Sequence, residues 1–234
     1  MNARFVLAAF VLSAAPAGAA EPSDLGYTYI DFRVIDKGLD ATGTQNPIPE
    51  QQVQDTARGG SGISVAGSLA LPKGLYMAGR FDSSIVDVDT RIVSPLAEQT
   101  VADKFDLTES RFSVGYRHPL GPKLDLIGEL GYESAQLDFG SLAGENFDTH
   151  GTGVAIRAGF RWNPAPAFEV YATGGRSPVG ELSLDERRLS PATVVNAGIR
   201  WYFFQDLGVG LNYQSGALSA LTLSMRFGFG DLPW

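Results

Sequence analysis

The sequence predicts an all-β protein, an antiparallel up-and-down transmembrane β-barrel of about ten strands, with eight strands as the alternative. Three observations lead to this prediction. Stretches of roughly ten residues alternate apolar with polar side chains, which is the period of a strand and the length that crosses a bilayer at a tilt. Short turns and long polar segments alternate between these stretches. The final stretch places a large apolar residue at every second position: Leu221, Leu223, Met225, Phe227 and Phe229.

The N-terminus has the layout of a secretory signal peptide. Arg4 precedes an apolar run from Phe5 to Ala15, and small residues up to Ala20 precede Glu21. A charged start, a short apolar run and a small-residue cleavage zone are typical of such peptides, and the run is too short to span a bilayer as a helix. We therefore expect residues 1–20 to be removed, with cleavage after Ala20 or one residue earlier, and residues 21–234 to form the barrel. The mature chain would cross the periplasm to the outer membrane.

Composition excludes several classes of function. The chain has no cysteine, so disulfides, thiolate metal sites and cysteine nucleophiles are excluded. Its net charge of −8 argues against nucleic acid as a partner. A mean hydropathy of −0.01 fits a soluble protein, but it also fits a membrane barrel, because the polar inward face offsets the apolar outward face.

The alternating stretches follow one another along the mature chain. We predict strands at 27–34, 63–71, 75–81, 111–117, 124–133, 154–162, 168–173, 195–203, 207–213 and 221–230. The turns at 72–74, 118–123, 163–167 and 203–206 are short, whereas the polar segments 36–60, 83–106, 139–150 and 176–190 are long; the connection near 215–216 is the short exception. Short turns on one side and long loops on the other are typical of outer-membrane barrels. Nothing in the architecture of a soluble sandwich requires this distribution of loop lengths.

Charged residues recur on the face that would point inward. The predicted lumen charges are Arg80, Arg111, Arg117, Asp125, Glu129, Glu133, Arg157, Arg161, Glu169, Arg200 and Arg226. Charges that leave bulk water need partners, so we predict Arg161 opposite Glu169 and Arg117 opposite Asp125, with Glu129 and Glu133 joining the network. Charges of both signs predict a filled bore. The alternative interpretation of these charges is a path for protons or ions.

Aromatic residues gather at the ends of strands next to the short turns. We predict a periplasmic aromatic girdle of Trp162, Phe168, Trp201, Phe203, Phe227 and Phe229, to which Trp234 would add. The alternative is an aromatic cluster in the core of a sandwich. The position of these residues at one end of the strands favours the girdle.

Over residues 24–231 the chain resembles the small outer-membrane β-barrels of the OmpA-transmembrane-domain and OmpX type. The signal peptide, the alternating strands, the runs Gly115-Tyr116-Arg117 and Leu130-Gly131-Tyr132-Glu133, and the aromatic-rich end carry the resemblance. About ten strands stand where eight are usual in that type, and no segment resembles the periplasmic peptidoglycan-binding domain of full OmpA. The resemblance implies a final strand that the outer-membrane assembly machinery reads. It implies no single activity, because members include anchors, adhesins, small pores and enzymes.

The sequence offers one pair of residues for catalysis at the barrel rim. Asp148 and His150 share a face if their segment is extended, which is similar to the rim-sited Asp/His pair of ten-stranded outer-membrane proteases. Asp87 and Asp89 are loose candidates for the paired acids of those proteases. A solvated loop edge is the favoured alternative. His118 lies in a predicted turn, and no nucleophile-elbow, phosphate-loop or zinc-helix motif is present.

The second long polar segment carries most of its charge as acids. These are Asp87, Asp89, Glu98, Asp103 and Asp106, against Arg91 and Lys104. They could bind divalent cations that bridge to lipopolysaccharide, or a basic ligand, but a solvated loop is the favoured alternative.

We expect, from these observations, a non-enzymatic integral outer-membrane protein with no cofactor, metal or catalytic residues. Its expected role is envelope integrity or surface interaction; the alternatives are a small channel or passive transporter, and a rim-sited hydrolase. The expected partners are outer-membrane lipid and lipopolysaccharide and the outer-membrane assembly machinery, with no nucleic acid. The barrel is expected to be a monomer.

Overall fold

The structure, a computed structural model, describes residues 25–39, 41–45, 50–142, 145–183, 188–204, 206–216 and 218–229. The predicted signal peptide lies outside these residues. The strands are β1 (Tyr29–Leu39), β2 (Ala41–Gln45), β3 (Gln52–Ala70), β4 (Leu75–Ser94), β5 (Ala97–Gly121), β6 (Leu124–Leu142), β7 (Glu145–Ala165), β8 (Phe168–Ser183), β9 (Arg188–Phe204), β10 (Leu207–Gln214) and β11 (Leu218–Gly228).

The strands form a closed ring. From β2 onward, each strand pairs antiparallel with the next along the chain, and β1 closes the ring by pairing with β11 on one side and with β3 on the other. Strand β2 follows β1 and pairs with the outer half of β3. The ring therefore holds ten antiparallel up-and-down strands, as predicted. None of the described residues forms a helix that is long and apolar enough to cross a membrane.

The strands are much longer than the sequence predicted, and this corrects the prediction of long polar loops. Residues 83–106 are not a loop, because β4 has 20 residues, β5 has 25, and they stay paired up to Ser94 opposite Ala97. Strand residues also occupy much of the segments 36–60, 139–150 and 176–190. In the segment 83–106, acids such as Asp87 lie on the outward face and raise the average polarity. Its inward positions, such as Val86 and Val88, are apolar and buried.

The outward face carries an apolar band around the ring. Ile63 is 67% exposed, and Val154 and Leu223 are 67% and 61% exposed. A band of large exposed apolar side chains is stable only where lipid covers it. Inward and outward residues alternate along each strand, so the same residues that predicted the strands also form this band.

Three layers fill the interior. An apolar cluster lies at the end with the long hairpins, and it consists of Ala57, Val86, Val88, Phe105, Leu107, Ala135, Leu137, Val179, Leu182, Leu189 and Leu218. A charged layer follows at the level of the apolar band. A second apolar cluster lies at the short-turn end, where Leu25 and Tyr27 enter the barrel and pack on Ala70, Tyr76 and Ile127. Apolar side chains thus lie at both ends of the charged layer.

Candidate functional site: the barrel interior and the outer sheet

The predicted lumen charges all lie on the inward face. Asp125, Glu133, Arg157, Arg161, Glu169, Arg200 and Arg226 are buried, and Arg80, Arg111, Arg117 and Glu129 are half-buried. Charged groups at this depth must find partners inside the barrel, because removing an ion from water without a partner costs several kcal/mol. Two ion networks and a smaller third group provide such partners.

Glu169 lies at the centre of the first network. Arg161 donates to both its carboxylate oxygens, at 3.1 Å from Nε and 2.9 Å from Nη2. Arg200 Nη1 and the Tyr202 hydroxyl also donate to Glu169, at 3.2 and 2.9 Å. The predicted Arg161–Glu169 pair is thus present, but the predicted register is wrong. Arg161 lies opposite Tyr171, and a bulge between Trp162 and Ala165 leaves Glu169 in a diagonal position.

Asp31 extends this network to the seam of the barrel. Arg226 lies directly opposite Asp31 and donates two hydrogen bonds to its carboxylate, both of 2.8 Å. Arg33 Nη2 and Arg200 Nη2 also approach Asp31, at 2.9 and 3.5 Å. Asp31 was not among the predicted lumen charges, although the alternation of the first strand places it on the inward face.

The second network lies further toward the outer end. Glu133 pairs with Arg157 and, at 3.5 Å, with Arg111, while Arg111 also pairs with Glu129. The Tyr76 hydroxyl donates to Glu129 at 3.0 Å. Glu129 and Glu133 therefore join the ionic layer, as the sequence analysis expected.

The predicted pairing of Arg117 with Asp125 has the wrong register. A bulge between Pro119 and Gly121 shifts the hairpin, so that Arg117 lies opposite Ile127. Asp125 therefore lies in a diagonal position to Arg117, which donates to the Leu25 carbonyl oxygen at 3.1 Å and places its guanidinium 4.8 Å from the centre of the Tyr27 ring. Asp125 lies opposite Arg161 in the β6–β7 register. The bulge could not be seen in the alternation of residues.

Three members of the third group, Lys37, Glu109 and Asp82, were not among the predicted lumen charges, whereas Arg80 was. Lys37 pairs with Glu109, and Arg80 pairs with Asp82 at 2.9 Å; Lys37, Glu109 and Asp82 are buried. Lys37 lies in a segment that was predicted to be a loop. If the two-residue alternation is continued from Asp31 through this segment, Lys37 falls on the same inward face.

The glycine that precedes several of these arginines has a packing role. Tyr76 lies opposite Gly115, and Tyr171 lies opposite Gly198. A Cβ atom at Gly115 would lie 2.2 Å from Tyr76 Cζ, and one at Gly198 would lie 2.6 Å from Tyr171 Cζ. Each inward-facing tyrosine ring therefore lies flat over a glycine of the next strand. This explains the recurrence of Gly two residues before Arg117 and Arg200.

Free space in the charged layer is small. One cavity of about 130 Å³ is lined by residues that include Tyr76, Arg111, Glu129, Arg200 and Arg226. A recess of about 640 Å³ lies at the short-turn end, next to Leu25 and Lys123, and it reaches Glu169 and Arg226 of the first network. The tyrosine rings, the arginines and the residues 25–27 take up the space between them.

The predicted girdle residues lie on the outward face at the short-turn end. Trp162, Trp201, Phe203, Phe227 and Phe229 are exposed, and Phe168 is half-buried. The rings of Trp201 and Phe203 are stacked with centres 6.0 Å apart, and the Phe227 ring meets Phe32 edge-on at 6.1 Å. Trp234 lies outside the described residues.

At the opposite end, β2, β3, β4 and β5 continue past the apolar band as an outer sheet. Ion pairs cross its outward face: Arg91 Nε lies 2.8 Å from Glu98 Oε1, and Lys104 Nζ lies 3.6 Å from Asp87 Oδ1. The hydrogen bond from Arg91, and then its charge, lower the pKa of Glu98 below its ordinary value of 4.5. The hairpin of β4 and β5 therefore carries the Glu98 carboxylate at neutral pH.

The predicted pairing of Asp148 with His150 falls outside the residues that the structure describes in full. His150 is exposed on β7, and the side chain of Asp148 lies outside the described residues. Asp89 pairs with Arg58 across the outer sheet. Within the described part of the chain, no cluster of three or more His, Asp or Glu residues is arranged to hold a metal ion.

Solved structures of bacterial outer-membrane proteins resemble this fold. The β domain of the Bordetella autotransporter BrkA has 13% identity and a TM-score of 0.47, over 87% of this chain and 100% of that chain. The translocator domain of the autotransporter NalP from Neisseria meningitidis has 16% identity and a TM-score of 0.43, over 89% and 90%. The Acinetobacter baumannii outer membrane protein Omp33 has 14% identity and a TM-score of 0.31, over 88% and 99%. No curated protein sequence matches the chain.

These similarities are too distant to carry an argument about function. The family comparison is stronger, because the model of the outer membrane protein beta-barrel domain matches residues 5–214. That match spans most of the chain and agrees with the closed ring and its apolar band. This protein is therefore an integral outer-membrane β-barrel and belongs to the outer membrane protein beta-barrel domain family.

Proposed function

We propose that this protein is a sealed, non-enzymatic barrel that stabilises the outer membrane and presents its outer sheet to partners at the cell surface. The observation that carries the proposal is the layered interior. A path through the barrel would have to pass the outer apolar cluster, the ion networks and the segment that contains Leu25 and Tyr27. The proposal includes export after removal of residues 1–20 and assembly by the outer-membrane machinery.

The outer apolar cluster is the strongest support for a sealed bore. Leu107 and Leu137 are fully buried, and Val86 and Val88 are 1% exposed. Water and ions are excluded from a packed apolar layer, because ions lose their hydration there without any compensating contact. The charged layer beneath it then serves to fill and rigidify the barrel.

The outer sheet supports the second half of the proposal. Strands β4 and β5 continue about nine residues beyond Ile85, the outermost exposed apolar residue of β4, which corresponds to roughly 30 Å along the strand. A paired, rigid sheet that projects beyond the membrane is suited to contact other molecules. Its face is polar, as a surface outside lipid must be.

Reconstitution into planar bilayers tests the proposal. We expect no ion-conductance steps above those of protein-free bilayers, and no uptake of small sugars by liposomes that contain the barrel. Reproducible conductance would favour the alternative of a small channel that opens through the 130 Å³ cavity. A cleavage activity on surface substrates that His150→Ala abolishes would favour the alternative of a rim-sited hydrolase.

A further inference from the structure

Within the described part of the chain, one stretch of β5 has a strand neighbour on one side only. Strand β5 pairs with β4 from Ala97 onward, but its pairing with β6 begins only at Asp106, opposite Asp138. Among the residues that the structure describes, none pairs with the other side of residues 97–104. We call these residues the outer edge. An exposed strand edge presents a row of N–H and C=O groups that can pair with another strand.

The backbone direction at the outer edge follows from Lys104. Its N–H donates to Asp103 Oδ1 at 2.8 Å, so it is not bonded to β4. Backbone groups of alternate residues point to the same side of a strand. Glu98, Thr100, Ala102 and Lys104 therefore direct their backbone groups to the open side, and their side chains are exposed on the outward face.

The outer edge is complementary to itself. If two copies pair antiparallel about Val101, Glu98 of each copy lies opposite Lys104 of the other, and Thr100 lies opposite Ala102. A shift of the register by two residues places Glu98 opposite either Ala102 or Asp106, which loses the charge pairs or makes them repulsive. Opposite charges that face one another across two strands stabilise the pairing, and like charges destabilise it. The charge pattern therefore selects a single register.

The existing ion pairs extend this complementarity. Arg91 already pairs with Glu98, and Asp87 lies near Lys104. In the joined sheet, a row of charges of alternating sign would cross four strands. It would run from Arg91 on β4 and Glu98 on β5 of one copy to Lys104 on β5 and Asp87 on β4 of the second copy. About eight backbone hydrogen bonds would form between the two edges, two for each facing pair of edge residues.

The direction of β5 decides where the second copy lies. In every copy β5 runs from the hairpin tip toward the membrane, so two copies in one membrane present parallel edges. Antiparallel pairing requires an inverted copy. We propose that the outer edge binds the outer edge of a second copy in a facing membrane, as a homotypic contact between cells or vesicles. This inference rests on the proposed surface role and names its partner.

Clustering of proteoliposomes with the outer sheet facing outward tests the proposal. We expect vesicles with the wild-type barrel to cluster, as measured by light scattering. E98K vesicles alone and K104E vesicles alone should lose clustering, since each variant pairs like charges. A mixture of E98K vesicles with K104E vesicles should cluster again, because both facing pairs then have opposite charge. Lys123→Glu makes the same charge change as K104E, but at the short-turn end, and should leave clustering intact.

A crosslink fixes the register. The chain has no cysteine, so Val101→Cys gives a single thiol at the proposed two-fold axis. Facing residues there would be close enough for a disulfide. Under mild oxidation we expect dimers that join two differently tagged vesicle populations. Val93→Cys, on β4 behind the edge, should form none.

The outcomes separate the two proposals. Absence of clustering, clustering that E98K does not change, or dimers formed only within one vesicle population would overturn the homotypic contact. None of these results would produce conductance. Conductance in planar bilayers, conversely, would overturn the sealed barrel and leave the clustering result standing.

Discussion

Asp31 and Arg226 join the first and last strands of the barrel through two hydrogen bonds of 2.8 Å. They are separated by 195 positions in the sequence and lie directly opposite one another. The Arg226 guanidinium also lies 3.3 Å from the centre of the Tyr29 ring. The first and last strands are thus joined by a buried, bidentate ion pair as well as by backbone hydrogen bonds.

Asp31→Ala should destabilise the closed barrel strongly. The substitution leaves Arg226 buried without its main partner, and loss of one member of a buried pair costs about 3–5 kcal/mol. We expect the temperature at which the compact band on a gel converts to the unfolded band to fall. Asp106→Asn, at an exposed position, should leave that temperature unchanged; an equal fall in both variants would contradict a specific role for the seam.

Glu169→Lys should also lower the unfolding temperature. It replaces the acceptor for Arg161, Arg200 and Tyr202 with a third cation in a buried site. Repulsion and lost hydrogen bonds act in the same direction, so the effect should exceed that of Glu169→Gln. Glu98→Lys makes the same charge change at the exposed hairpin and serves as the stability control. An unfolding temperature that does not change in Glu169→Lys would count against the network.

Gly115→Ala should disturb the packing of a single ring. The added methyl group would overlap the Tyr76 ring, and overpacking of this kind typically costs about 1–3 kcal/mol. Gly128→Ala is the matched control in the neighbouring strand, because no atom lies within 4 Å of the position of its Cβ. We expect a lower unfolding temperature for the first variant and no decrease for the second. The reverse order would refute the contact between glycine and ring.

Leu107→Ala should loosen the outer sheet before the membrane-embedded barrel. Leu107 is fully buried in the outer apolar cluster, and a cavity of this kind costs about 2–5 kcal/mol. Limited proteolysis of outward-facing proteoliposomes should cut the outer hairpins faster, while a protected core fragment remains. Leu96→Ala, at a hairpin tip residue that is 98% exposed, should behave like the wild-type protein.

The sequence was sufficient for the ring and for the inward and outward faces. The two-residue period places Leu223 against lipid and Arg226 inside, whatever the register of the neighbouring strands. It was not sufficient for register, because the bulges near Pro119 and Trp162 leave the alternation of side chains unchanged. This is why Arg117 and Arg161 were each predicted directly opposite a carboxylate that lies in a diagonal position.

The length of the strands was misjudged for a different reason. In the segment 83–106 the outward positions include acids such as Asp87, because no lipid covers them. Only a few apolar residues alternate with these acids, and they lie on the inward face. Average polarity therefore resembled that of a loop. The two-residue spacing of Val86 and Val88, together with Phe105, would have predicted the outer sheet and its apolar cluster.

Labelling of one buried position tests the sealed interior most directly. Ser113 is 1% exposed and faces the charged layer, and Ser113→Cys would give a single thiol in a chain without cysteine. Thr100→Cys, at the exposed hairpin, is the control for reagent activity. We predict that a small, membrane-impermeant maleimide labels the control at once and labels the Ser113→Cys variant only after heat unfolding. Rapid labelling of the folded Ser113→Cys variant would contradict a sealed barrel and show that water reaches its centre.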